Sequence, residues 1–319
     1  MADGSQAPVL ALDIGGTKIA AGVVDGNGQT HSFLTRPSRT ELGVDAVLDD
    51  LFALGREAVD QSQLAWTSIA AVGIGCGGPL DAQRGILVAP PHLPGWHDVP
   101  VTALAERAYE RPVMLENDAT AAAAGEHRWG AGASVSNMVY LTLSTGVGGG
   151  VVIGGRLYRG SWGNGGELGH VTVDWHGRRC RGCGRRGCLE AYVSGTSIAE
   201  RAQEAGLDLP TAESVAAAAR AGDAAAVAVW DETVQALACG LISIVNLFEP
   251  ELVVLGGGVT RSGDQLLAPV REAVREGAMR PAGDAVDVVI SAFGDRVGVV
   301  GAAAIVYDRP VTHDAPANG

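Results

Sequence analysis

The chain has 319 residues, 47% of them hydrophobic and 18% charged, with a net charge of −13. That length accommodates two cores, the apolar fraction excludes disorder over most of the chain, and the acidic balance excludes a duplex-binding surface, which needs clustered Lys and Arg. No run of sequence approaches the roughly 20 apolar residues of a membrane span, and residues 1–8 are polar without the apolar centre of a leader. A cytoplasmic protein in a reducing compartment, with neither nucleic-acid nor membrane partners, is therefore expected.

Residues 9–13 form an apolar strand that runs into Asp13, Gly15, Gly16, Thr17 and Lys18. Residues 19–24 return as a second strand before a hairpin turn at 25–28. Glycines at a strand-to-strand bend expose backbone N–H groups, and Thr17 and Lys18 add a hydroxyl and a cation, a composition that can hold phosphate. An ordinary glycine turn is the alternative; a Walker loop is not, since no helix follows and its spacing is absent. Helical periodicity covers 43–61, a buried strand 69–75, an irregular proline-rich stretch 87–96 and a helix 101–109. The strand at 112–115 ends in Glu116, Asn117 and Asp118, followed at once by an alanine-rich helix at 119–126. A carboxylate at that junction suits a general base, with Asn117 able to orient a hydroxyl; a plain helix N-cap is the simpler reading of Asp118.

The strand at 138–143 enters Ser144, Thr145, Gly146 and then Gly148, and 151–153 leaves as another strand, repeating the first pattern. Two such bends in two halves of one chain point to two related α/β domains closing on a nucleotide. Residues 211–248 read as two helices divided at Gly222 and Asp223. The strand at 252–255 then meets Gly256, Gly257 and Gly258, where absent side chains leave room for a flat ring, the candidate adenine and ribose site. A strand at 286–291 and a helix at 297–306 follow, and 308–319 reads as a frayed polar tail.

Between these halves His170, Cys180, Cys183 and Cys188 fall within nineteen residues, spaced by glycines. Three thiols and an imidazole suit tetrahedral Zn²⁺ with no open position, the structural form of a zinc site. Disulfides are the alternative, disfavoured by the odd number of cysteines. Glu167 and Glu190 bracket the ligands, so folding the loop onto a metal would bring both acids to one place. The basic cluster at 178–186 is interleaved with the cysteines and is expected to offset local acid charge. Cys76 and Cys239 lie in apolar sequence and are expected to be buried thiols. His31, His97, His127, His176 and His313 have no partner that the sequence names.

Taken together, these motifs resemble the ROK family of sugar kinases and repressors over residues 11–306, most closely its bacterial ATP-dependent glucokinase branch. The resemblance rests on D-I-G-G-T-K at 13–18, G-P-L-D at 78–81, E-N-D-A at 116–119, S-T-G-V-G-G-G at 144–150, E-L-G-H at 167–170 and C-G-R-R-G-C-L-E at 183–190. It implies a two-domain actin/hexokinase-like (ribonuclease H-like) ATPase fold with a zinc-binding loop. An N-terminal α/β domain would span 1–118 and be completed by the C-terminal helix at about 295–319. A second domain at 119–294 would carry the zinc loop and most of the nucleotide site.

By matching position, Asp118 would be the catalytic base toward the 6-hydroxyl of a hexose, and Gly78, Asn117, Glu167, His170 and Glu190 would line the sugar site. Asp13, Gly15, Gly16, Thr17, Lys18, Thr145, Gly146, Gly148, Gly256, Gly257 and Gly258 would hold ATP, with Mg²⁺ neutralising its phosphates and Zn²⁺ structural on His170, Cys180, Cys183 and Cys188. The family implies a homo-oligomer, dimer or tetramer.

Two departures bear on these expectations. The thiols of Cys180 and Cys183 stand one residue further apart than the family's usual C-x-C, and the Pro-Asn that glucokinases bring to the sugar reads Pro91-His92 here. Besides glucose, an amino sugar such as kanosamine, glucosamine, N-acetylglucosamine or N-acetylmannosamine is thus a candidate substrate. A repressor would carry a helix-turn-helix ahead of the first strand, where only residues 1–8 stand. An actin-like ATPase would have no use for Glu167, His170 and Glu190, and polyphosphate use leaves no mark in the sequence.

Overall fold

The computed structural model describes residues 7–308; the tail after 308, with His313, lies outside the described residues, as does most of the polar start. The chain divides into two compact units, Met1–Asn117 with Gly298–Gly319, and Asp118–Val297.

In the first unit, β1 (Val9–Ile14), β2 (Lys18–Val24) and β3 (Thr30–Pro37) form an antiparallel meander, and β4 (Val72–Cys76) and β7 (Val113–Asn117) run parallel to β1, giving the order β3-β2-β1-β4-β7. A small hairpin, β5 (Leu80–Asp81) with β6 (Ile86–Leu87), stands apart from that sheet. The central strands are apolar on both faces because helices cover them: α1 (Val44–Ser62) buries Val47, Leu51, Leu54 and Ala58 at helical spacing, and α2 (Val101–Tyr109) buries Val101 and Ala105. The register sets Asp13 beside Gly75, and Gly75 beside Glu116. Hence the turns after β1, β4 and β7 leave from the carboxyl ends of parallel neighbours, where α/β sheets bind ligands.

The second unit repeats this plan. It begins with α3 (Asp118–Trp129), and its sheet has the order β10-β9-β8-β11-β12, formed by β8 (Met138–Leu143), β9 (Val147–Ile153), β10 (Arg156–Leu157), β11 (Leu252–Gly256) and β12 (Asp287–Ile290). The first three are an antiparallel meander and the last two run parallel to β8. Between β10 and β11 come α4 (Glu190–Val193), α5 (Gly195–Glu204), α6 (Ala212–Arg220) and α7 (Ala224–Phe248), and after β11 come α8 (Asp264–Gly277) and α9 (Ala282–Ala285).

Helices α6 and α7 each start at a cap: before α6, Thr211 Oγ1 accepts from Ser214 N–H, and at the break before α7, Asp223 accepts from the N–H groups of Ala225 and Ala226. Contrary to the expectation from sequence, α7 is long and apolar enough to cross a membrane by length and composition alone. It is a core helix, half of its most apolar window being buried, with Leu237, Leu241, Ile244 and Val245 in the core.

Each sheet also carries a small-residue helix packed unusually close. In the second unit α3 lies on β9, where a Cβ added at Gly150 would stand 2.6 Å from Ala123 Cβ and 2.8 Å from Ala119 O. In the first unit that place is taken by α10 (Val297–Asp308), where a Cβ at Gly73 would stand 1.7 Å from Ala302 O. Gly73→Ala therefore sets a methyl against backbone that cannot yield cheaply and is expected to destabilise the chain by about 1–3 kcal/mol or more. Gly258→Ala, which meets nothing within 4 Å, should leave the melting temperature unchanged in the same thermal denaturation series.

Candidate functional site

In the first unit, the turn from β1 to β2 is closed by Gly15 N–H donating to Lys18 O at 3.1 Å. Thr17 and Lys18 are exposed on it, and Asp13 is half-buried behind it. The Asp13 carboxylate faces the start of α10, since a Cβ at Gly298 would meet Asp13 Oδ2 at 2.2 Å. Ser38, which the sequence gave no reason to single out, clamps the turn from below: its N–H donates to Thr17 O at 3.0 Å and its hydroxyl to Gly15 O. Gly78 and Asn117 come together, Asn117 Nδ2 standing 3.7 Å from the position of a Gly78 Cβ. His92 packs against two of these glycine turns, its carbonyl against Gly16 and its ring against Gly77, with Nε2 4.0 Å from Cys76 Sγ.

In the second unit, Asp118 opens α3, Glu167 precedes a short 3-10 turn (Leu168–His170), and Glu190 opens α4. These three carboxyl groups share one electrostatic neighbourhood. Burial holds the Glu167 carboxyl above the ordinary carboxylate range even though half its side chain is exposed; the nearby His170 opposes this, and the charges of Asp118 and Glu190 add to it. His170 Nε2 stands 3.9 Å from Glu167 Oε2, while Nδ1 points the other way, 3.7 Å from Cys180 Sγ.

The ligand atoms of His170, Cys180, Cys183 and Cys188 all lie within 4.8 Å of one another, and Cys183 and Cys188 have their sulfurs 3.5 Å apart. Sulfurs at the corners of a zinc tetrahedron with bonds of about 2.3 Å stand about 3.8 Å apart, so spacing and donor set both fit such an ion. All five cysteines are free thiols, which removes the disulfide alternative. Glu190 joins this knot to the glycine bend after β8: Oε1 accepts from Cys180 Sγ at 3.2 Å, and Oε2 accepts from Val147 N–H at 3.0 Å. Gly182 lets the loop pass close, since a Cβ there would stand 2.7 Å from Glu190 Oε1.

Of the remaining nucleotide candidates, Thr145 is exposed on the β8–β9 bend, which Ser144 N–H closes onto Gly146 O at 2.9 Å. Gly148, Gly256 and Gly257 are required by internal packing, on Ala119 Cβ, the Tyr140 hydroxyl and Leu143 O respectively, and only Gly258 of the later glycines faces open space. Three further expectations change. Cys239 is exposed rather than buried, on the outer face of α7. His31 pairs with Asp25 at 3.0 Å, and His127 Nε2 lies 3.0 Å from Val135 O. Within the basic cluster, Arg178 and Arg181 do meet local acids, Glu204 and Glu200.

A family model described as the ROK family matches residues 9–309. The chain is 36% identical over 315 residues to a glucokinase of Thermotoga maritima, covering 94% of this chain and 98% of that one. It is likewise 36% identical over 296 residues to an N-acetylmannosamine kinase of Escherichia coli, covering 92% and 96%. Among solved structures, a ROK family glucokinase from Streptomyces griseus in complex with glucose and AMPPNP superposes with a TM-score of 0.81 at 34% identity, over 93% of this chain and 98% of that one.

The thiols differ enough to be told apart chemically. Burial pushes Cys180 and Cys188 up, whereas Cys183, despite some burial, is held below the usual thiol range by hydrogen bonds from the Arg185 backbone and its neighbours. In the metal-free chain, exposed Cys183 and Cys239 are expected to react with a maleimide well before Cys76, Cys180 and Cys188, as read by timed quenching and peptide mass mapping.

Proposed function

This chain belongs to the ROK family, and from that premise we propose that it is an ATP-dependent sugar kinase that phosphorylates the 6-hydroxyl of glucose, with Asp118 as its base. The observation that carries the reading is the joint neighbourhood of Asp118, Glu167 and Glu190, with His170 turned to it by one nitrogen and to the cysteines by the other. Acceptor-rich carboxylates and an imidazole set around one place suit a polyhydroxyl ligand, whose hydroxyls donate to each. Asp118 then takes the proton of the attacking hydroxyl, worth on the order of 10²- to 10⁴-fold. Glu167, His170 and Glu190 fix the ring so that one hydroxyl is presented, and Asn117 and Gly78 are assigned to the sugar by their match to the family motifs.

ATP is assigned to the glycine bends at Gly15–Lys18 and Thr145–Gly148. Positioning and electrostatics dominate phosphoryl transfer, and exposed Thr17, Lys18 and Thr145 with the bend N–H groups supply donors. Bound Mg²⁺ would neutralise the phosphates, and Asp13 is the carboxylate nearest the first bend. Structural Zn²⁺ is assigned to His170, Cys180, Cys183 and Cys188, supported by the donor set and spacing. We further place the protein in the cytoplasm, where free thiols persist, as a homo-oligomer. Leu247 and Met279 are exposed, Met279 N–H donating to Oδ1 of Asn246, the residue before Leu247, and we assign them to the surface that meets a second copy.

A second reading, an amino-sugar kinase, is favoured by His92 standing where glucokinases have Asn and by the N-acetylmannosamine kinase relative. A coupled assay with ATP, and with polyphosphate in its place, across glucose, mannose, glucosamine, N-acetylglucosamine, N-acetylmannosamine and kanosamine separates the two. Highest kcat/KM on glucose with ATP is expected, and an amino sugar in first place would overturn it.

Asp118→Asn should lower kcat by about 10² or more with sugar affinity retained, measured by single-turnover kinetics beside fluorescence titration. Turnover within tenfold of the parent would remove Asp118 from its role. One zinc per chain is expected by metal analysis, lost in Cys183→Ser together with several degrees of melting temperature. A metal-free parent of full stability would refute the knot as a zinc site.

A further inference from the structure

We infer that Arg201 is a positioning residue for the sugar site: by donating to the Tyr192 carbonyl it fixes the one-turn helix α4 and, through it, Glu190. The inference rests on the reading of Glu190 as a ligand of the sugar. Helix α4 has four residues, too few for its own hydrogen bonds to hold it, yet its first residue must stay put if it is to grip a hydroxyl. At its start the helix is anchored by Leu189 N–H donating to Val171 O at 2.9 Å, beside Cys188. The Glu190 carbonyl is taken by Ser197 Oγ at 3.0 Å. The last carbonyls of a helix have no partner within it, and Tyr192 O is satisfied by Arg201 Nη2 at 2.5 Å.

The same guanidinium reaches a second element. Nη1 donates to Val229 O at 2.9 Å and to Glu232 Oε2 at 2.8 Å, and Nη2 also meets Thr233 Oγ1. One side chain from α5 thereby ties α4 to the long helix α7. The Arg201 side chain is only 3% exposed, and its Nε has no hydrogen-bond partner. Burying a guanidinium costs free energy that an apolar side chain of similar volume would not, and such replacements are often as stable or more so. Stability alone therefore does not explain an arginine at this place; a planar fork that meets carbonyls on two helices at once does, and lysine, a single point donor, cannot reproduce it. Tyr192 is held from its other end as well, its hydroxyl accepting from Arg178 N–H at 3.0 Å and donating to Asp174 Oδ2 at 3.2 Å. The residue two positions after Glu190 is thus pinned at backbone and ring.

The test compares Arg201→Lys, Arg201→Met, Thr233→Val and Glu190→Gln in the intact, zinc-loaded chain, with glucose and ATP as probes. For both Arg201 variants the glucose Kd from tryptophan fluorescence and the glucose KM should rise about tenfold, roughly 1.4 kcal/mol, with KM for ATP and zinc content unchanged. Thr233→Val, which keeps the bond to Tyr192 O, should leave glucose affinity within twofold. Should Arg201→Met fail to fold, Arg201→Lys carries the test. Unchanged glucose affinity in folded Arg201→Lys would overturn the inference, as would a parallel loss of glucose and ATP affinity with melting temperature, which marks a merely structural role. Glu190→Gln separates the two levels. If it leaves glucose binding intact, the sugar-site reading itself fails; if it weakens binding while Arg201→Lys does not, only the role of Arg201 fails.

Discussion

The carboxylate of Glu190 is held from two sides, by a thiol of the cysteine knot on one oxygen and a backbone N–H of the glycine bend on the other. Because both oxygens are engaged, the acid has a fixed direction, and that direction depends on both neighbours being in place. Were zinc held by Cys180, as proposed, the sulfur would be a thiolate, so the thiol proton that it donates to Glu190 Oε1 would leave with metal binding. That oxygen would then have no thiol donor and could accept from another group. On the proposed reading, a metal that touches no substrate would thus help set whether a substrate hydroxyl finds an acceptor.

The duplicated sheet explains why such contacts can be built at all. In each unit the strand leading into the glycine bend, β1 or β8, lies third in the order, paired with an antiparallel neighbour on one side and a parallel one on the other. Its turn therefore projects from the carboxyl ends of the parallel strands, beside Gly75 and Glu116 in one unit and beside Gly256 in the other. Close helix packing follows from the same glycines: small residues on α3 and α10 meet bare backbone at Gly150 and Gly73. Asp118 and Gly298 sit at the first turns of those two helices, so each opening turn carries or meets a carboxylate, Asp118 in one unit and Asp13 in the other.

Much of this was legible in the sequence because the signals were local. The two strand-bend-strand echoes, the Asp118 junction, the cap at Asp223 and the ligand spacing each depend on residues within about one turn of each other. Signals that need a distant partner were not legible. Cys239 reads as buried among Ala, Leu and Ile, yet falls on the outward face of α7, because a hydrophobic helix still presents one side to solvent. Arg201 carries no local signal that sets it apart, and its four anchors lie nine, 28, 31 and 32 residues away. Ser38 and β3 have no composition that distinguishes an edge strand from a loop. Gly256 and Gly257 read as room for a flat ring, and the space at their Cβ positions is filled by the Tyr140 hydroxyl and Leu143 O.

A metal on the cysteine knot, as proposed, would order a part of the fold that has little else to order it. From β10 to α4 the chain has little regular structure beyond one 3-10 turn and isolated bridges, Thr172 with Cys188 and Arg179 with Arg186. Loops of that length are uncommon unless they carry function. The backbone bonds that close it, such as Cys180 N–H to Arg185 O at 2.7 Å and Gly187 N–H to Arg178 O at 2.8 Å, contribute about 1 kcal/mol each. A structural zinc in a small finger contributes about 10–16 kcal/mol. One ion at the proposed site would outweigh the handful of hydrogen bonds and would order the loop between His170 and Glu190, leaving the arginines around it to pair with Glu200 and Glu204.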